Sequence, residues 1–262
     1  MSETINGVYD AIDREHAGES ATTRRKFVAG AAATIGGLGL LGVPQAALAA
    51  GSSTSDNTVE NILAVAATAE VLATIVNTVG PEKVSLDPVT RKNIRAAARE
   101  ELIHYNTLVG LGGKALTTKI WVPDAVFASR TGLLSTLVVG DQIFVNAYLI
   151  ATTVFGNAGN GPFARYAAEF MGAEAVHRAL ARQSLGLLGN DRVFMKYRQV
   201  EEASGPGHGM PGFDDIFVAV KQLQMAGFGF GQKGAMPGAF YDFGEVKTRT
   251  PDPRDVNTRM PN

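Results

Sequence analysis

The chain contains no cysteine, and only four histidines occur among its 262 residues. The missing thiols exclude disulfides, thiolate metal sites, a cysteine nucleophile and a cysteine-linked lipid anchor. No charge of one sign dominates: 24 Lys and Arg stand against 25 Asp and Glu. With no basic stripe interleaved with aromatics, nucleic acid is not an expected partner. Strand-type alternation is absent from the central part of the chain, which predicts an all-α fold.

The N-terminal region reads as an address rather than as structure. Thr23-Arg24-Arg25-Lys26-Phe27-Val28 resembles the twin-arginine export motif. A Gly/Ala-rich apolar run follows, from Val28 to Val43, and then a small-residue cleavage signal, Ala47-Leu48-Ala49. The run falls short of the roughly 20 apolar residues that a membrane span needs. Residues 1–49 are therefore expected to be a signal peptide read by the twin-arginine translocase. The product would be periplasmic or extracellular, with no stable membrane span in its mature part. Such systems export folded proteins, so a metal can be loaded before transport.

Residues 50–57 form a Ser/Asn-rich linker. A first helix is expected from about Thr58, capped by Asn57 with Glu60 in capping-box position, and stopped by Gly80-Pro81. Asp87-Pro88 opens a second helix that runs to about Leu108. A loop containing Trp121 and Pro123 leads to a third helix ending near Phe155, in which Gly140 invites a kink or break. Pro162 opens a fourth, lasting to about Leu188. The extension, residues 189–262, should hold one more helix near 213–226, followed by a Gly/Phe-rich segment and an extended end. Four phenylalanines there (Phe228, Phe230, Phe240 and Phe243) should pack on the helices or on another copy of the chain, making a homo-oligomer through the tail.

The chemistry lies in a repeated spacing. Glu101 precedes His104 by three residues, and Glu174 precedes His177 by three. That step puts both side chains on one helical face, within reach of a shared metal. Only three histidines follow the leader, the third being His208 in a glycine-rich loop. Two of three at this spacing has a chance on the order of a per cent by composition. Glu70 is the only charged residue between Asn61 and Pro81, and Asp141 the only one between Thr131 and Ala164. A carboxylate in an apolar helix is costly unless paired. The candidate metal ligands are thus Glu70, Glu101, His104, Asp141, Glu174 and His177, one set per helix at intervals suited to an antiparallel four-helix bundle. An oxygen and imidazole donor set suits iron or manganese better than structural zinc. Competing readings are an ordinary Glu174–Arg178 pair, a solvated Glu101 beside Glu100, and membrane burial of the helices carrying Glu70 and Asp141. Tyr148 and Tyr166 lie at phases that can face the site, with core packing the expected role for both.

Residues 58–188 resemble the ferritin-like domain family that includes desiccation-related proteins of plants and bacteria and stress-induced fungal proteins. The resembling stretches are Ala69-Glu70-Val71-Leu72, Glu101-Leu102-Ile103-His104-Tyr105, Asn146-Ala147-Tyr148-Leu149 and Gly172-Ala173-Glu174-Ala175-Val176-His177. Twin-arginine leaders recur among the bacterial members. The resemblance implies a ferritin-like bundle holding two iron or manganese ions, bridged by Glu101 and Glu174, with Glu70 and the third-helix residue as terminal ligands. That third-helix residue is usually glutamate in such proteins, whereas Asp141 stands here. The implied function is metal binding with reaction on oxygen or peroxide in stress protection. The alternatives are a non-enzymatic structural stress protein and an iron-storage protein.

Overall fold

The structure is a computed structural model, and it describes residues 57–195, 202–210 and 212–256. The export leader, and all of the linker except Asn57, lie outside the described residues. What is described is mostly helical, with one small sheet.

Four long helices make up the body: α1 (Val59–Lys83), α2 (Pro88–Gly110), α4 (Arg130–Asn157) and α5 (Gly161–Ser184). Short turns fold α1 against α2 and α4 against α5, and the two pairs meet through α1 on α4 and α2 on α5. The starts follow local chemistry. Asp87 accepts from Thr90 N with Pro88 in the first turn of α2, and Ser129 and Asn160 cap α4 and α5 in the same manner. α1 differs from expectation, because its cap is Thr58, which accepts from Asn61 N. Asn57 is used elsewhere. It accepts from Ile216 N at 2.9 Å and donates to Asp214 O at 2.6 Å, tying the segment just before α1 to a helix 159 residues on.

The ends also diverge from expectation. α1 continues through Pro81 to Lys83. Tertiary partners hold this last turn: Arg91 donates to Pro81 O, and Lys83 Nζ reaches Tyr241 Oη at 2.6 Å. α4 is one helix through Gly140. α5 stops at Ser184, four residues early, because Gly186 takes φ +78°. Its N–H then bonds Gln183 O and that of Leu187 bonds Arg182 O, satisfying the last carbonyls. Gly159 at φ +70° closes α4 in the same way and sets the tight turn into α5.

The purely helical expectation needs one correction. β1 (Lys119–Pro123), the expected loop, is the central strand of an antiparallel three-stranded sheet in the order β2-β1-β3. Its neighbours come from the tail: β2 (Gly229–Phe230) and β3 (Gly238–Asp242), with Ile120 opposite both Phe230 and Tyr241. A five-residue segment has no strand identity until partners supply its hydrogen bonds. The described residues of the tail also form helices. α6 (Ile216–Met225) packs on α1 and α4, and the short α7 (Phe243–Val246) packs on α1. Between β1 and α4 lies the single-turn α3 (Asp124–Phe127). Phe228, Phe230 and Phe243 are buried within the chain, while Phe240 is half-buried against Trp121.

α1 and α4 are long and apolar enough to cross a membrane by length and composition. In the most apolar window of each, 89% and 61% of residues are buried inside the fold, as in the core helices of a packed domain.

Candidate metal centre

The four long helices each deliver an acidic side chain to one buried region. Glu70 comes from α1, Glu101 from α2, Asp141 from α4 and Glu174 from α5. Glu70, Glu101 and Glu174 are 0% exposed, and Asp141 is 4% exposed. Ligand atoms of Glu70, Glu101, His104 and Glu174 lie within 4.8 Å of one another, a group that could hold a metal ion.

The pairing of atoms is ordered. His104 Nδ1 lies 3.6 Å from Glu70 Oε1, 3.4 Å from Glu101 Oε2 and 3.5 Å from Glu174 Oε1. His177 Nδ1 lies 3.2 Å from Glu101 Oε1 and 3.5 Å from Glu174 Oε2. Each of these two glutamates therefore turns one oxygen to His104 and the other to His177. Both oxygens of Glu101 and of Glu174, both Nδ1 atoms, Glu70 Oε2 and Asp141 Oδ2 are buried without a hydrogen-bond partner. Buried polar atoms are normally partnered, and so many orphans facing one another is the donor pattern that cations satisfy.

Asp141 is less closely engaged. It belongs to neither histidine's set of contacts, though it lies in the electrostatic field of the site. Burial raises its pKa well above the carboxylate range; the Glu174 and Glu101 charges add to this, and His177 and Arg178 oppose it. Its side chain, one methylene shorter than a glutamate's, reaches less far from its helix than those of the three glutamates.

Without metal, protons take the place of cations. Burial, then the Glu101 charge, pushes Glu70 up to about 8. Burial alone would depress His104, but Glu70, Glu101 and Glu174 together push it up to about 12. His177 is likewise raised by Glu101, Glu100 and Glu174 against the effect of burial. A cation entering the cluster would displace these protons, so binding is coupled to pH.

Two surrounding residues orient the ligands. The buried Tyr148 hydroxyl donates to Glu70 Oε1, so Tyr148 does more than pack. Burial and the Glu70 charge raise its pKa well above the usual phenol value, keeping it a donor. Glu100, half exposed, places Oε2 2.6 Å from His177 Nε2. That contact fixes the ring with Nδ1 turned to the cluster and lowers the pKa of Glu100. Phe170 completes the wall, stacked on His104 with ring centroids 4.1 Å apart.

Comparison of the chain with protein-family models, with curated proteins and with solved structures found no match. A metal is supported here by the geometry of the cluster alone.

The other candidates fall away from the cluster. His208 Nδ1 meets Glu202 O at 3.1 Å, and Tyr166 is 39% exposed beside Phe170. Arg178 does not take up Glu174; it donates to Asp191 O at 3.2 Å. Nothing in the sequence marks Glu100, because helical phase sets it beside the Glu101–His104 face. Its partner is on another helix, 77 residues away.

Proposed function

We propose that this chain is an exported ferritin-like four-helix protein whose centre binds two iron or manganese ions and reacts with oxygen or peroxide in stress protection. One observation carries the reading: Glu101 and Glu174 each divide their two oxygens between His104 and His177. That division favours two cation positions about one shared pair of carboxylates. Charge agrees, since the four carboxylates of Glu70, Glu101, Asp141 and Glu174 are neutralised by two divalent cations when both imidazoles are neutral.

When bound, a pair of such ions would supply two-electron chemistry on oxygen or peroxide. The chain's own residues would hold and shield them: His104 with Glu70 at one position, His177 at the other, and Glu101 and Glu174 facing both. Tyr148 holds Glu70 through its hydroxyl, and Glu100 holds the His177 ring from the solvent side. Burial of the glutamates excludes bulk water, so the carboxylates act in a low-dielectric surround.

Metal analysis of the purified protein tests the proposal. A content near two ions per chain is expected. His104→Ala and His177→Ala should each lower it sharply, while His208→Ala, remote from the cluster, should leave it unchanged. Metal near zero in the parent protein would return the cluster to a structural role and favour the non-enzymatic reading.

A further inference from the structure

The small sheet has an open edge. β3 (Gly238–Asp242) lies on the outside of the order β2-β1-β3, with β1 as its one neighbour in the sheet. Two contacts just beyond the strand fix its backbone phase: Phe243 N donates to Thr118 O at 2.9 Å, and Asp124 N donates to Pro237 O at 2.9 Å. Both continue the register that sets Lys119 opposite Asp242 and Pro123 opposite Gly238. Bonded and non-bonded residues alternate along an antiparallel pair. Pro237, Ala239, Tyr241 and Phe243 therefore turn their backbone groups to β1, while Gly238, Phe240 and Asp242 turn theirs outward. Among the described residues, nothing takes the outward groups of Gly238 and Phe240.

Strand edges are normally blunted by lysine, proline, a bulge or a covering element, because an open edge templates further pairing. β3 contains no lysine and no proline, its register with β1 is unbroken, and its one charge is Asp242. Apolar residues lie exposed beside it: Met236 is 49% exposed, and Ala235, Pro237 and Ala239 are exposed too.

The backbone alone would accept any extended peptide; the side chains single out a second copy of this chain. Turned about a two-fold axis at Phe240, that copy sets its Phe240 opposite Phe240, its Tyr241 opposite Ala239 and its Asp242 opposite Gly238. Off the axis each large side chain then faces a small one, and the charge meets glycine rather than another acid, avoiding the repulsion of like charges directly opposed. On the axis the two phenyl rings extend the existing Trp121–Phe240 contact, whose centroids are 5.1 Å apart. Outward groups meet outward groups: Phe240 N–H reaches the other Phe240 carbonyl in both directions, and Asp242 N–H reaches the other Gly238 carbonyl.

We propose that β3 is a homodimerisation strand, through which two copies of the chain join edge to edge and merge their sheets into one. The contact is isologous, so it closes as a dimer and uses up the edge. It is independent of the metal reading, since no candidate ligand lies on the sheet.

Sedimentation of the purified protein over a wide range of concentration should show a reversible dimer, and the amides of Phe240 and Asp242 should exchange more slowly as it forms. Phe240→Glu sets two carboxylates face to face on the axis and should abolish the dimer. Within one chain the new carboxylate lies beside Lys119, whose Nζ is 4.8 Å from the present ring centroid, so the fold is expected to hold by circular dichroism. Should that variant not fold, Phe240→Cys gives an independent reading, because the chain has no other cysteine. Cα atoms of a hydrogen-bonded antiparallel pair stand about 5.5 Å apart, a span that a disulfide bridges. Mild oxidation should cross-link Phe240→Cys rapidly and leave Val89→Cys, on α2 and 67% exposed in the parent, largely single. A parent that stays monomeric at every concentration would overturn the proposal. So would a dimer that survives Phe240→Glu, or equal cross-linking of the two cysteine variants.

Discussion

Glu70→Gln in the metal-free protein probes the centre without any assumption about activity. Glu70 is wholly buried, and its pKa rises from 4.5 to about 8 when nothing but protons balances the cluster. Below pH 4.5 the folded and unfolded chains both hold the proton, so Glu70 adds no pH dependence there. Above 4.5 the unfolded chain releases it and the folded chain keeps it, so stability falls as pH rises until the folded value is passed. At about 1.4 kcal/mol per pH unit, the stretch between these values is worth about 5 kcal/mol by pH 8. Glutamine keeps the acceptor that Tyr148 uses and removes the titration. Urea unfolding in chelator should therefore give two proteins of similar stability near pH 5, with the variant ahead by several kcal/mol at pH 8. Adding ferrous or manganous ion should reverse the order, since the parent alone keeps the full ligand set. A difference between parent and variant that stays constant within about 1 kcal/mol from pH 5 to 8 would refute the argument that burial and Glu101 govern this carboxyl.

Asp141→Asn should raise the melting temperature of the chelated protein, because burial and Glu174 already disfavour its charge, and should weaken the metal response; an unchanged response would remove α4 from the site. Glu100→Ala should loosen the His177 ring and lower metal content at one of the two positions, with partial rescue by Glu100→Gln, whose amide oxygen still accepts from Nε2; metal content and paramagnetic spectra read both variants. The bound metal should also tighten as pH rises from 6 to 8, because the protons that His104 and Glu70 hold must leave, and isothermal titration in buffers of different ionisation enthalpy would count them. For export, Arg24→Lys with Arg25→Lys should strand an unprocessed precursor in the cytoplasm, visible by fractionation; normal trimming would end the twin-arginine reading.

Local physics explains what the sequence by itself determined. Asp87-Pro88, Ser129 and Asn160 act within their own first turns, so the starts of α2, α4 and α5 were legible from a few neighbouring residues. The step of three from Glu101 to His104 and from Glu174 to His177 commits each pair to one face of its helix wherever the helix goes. Solitary carboxylates in apolar helices marked Glu70 and Asp141 for the same reason, the cost of burying an unpaired charge. Only tertiary structure decided the rest. Asn57 left its expected cap for Ile216, and Glu100 found His177 on another helix. Lys119–Pro123 became a strand because residues from the tail flanked it on both sides. None of these pairings has a period or a spacing to read, since their energy comes from partners that meet after the helices have packed. Asp141 shows the same limit from the other direction: its helix and phase were readable, but its distance from the cluster is set by how α4 sits against α1 and α5.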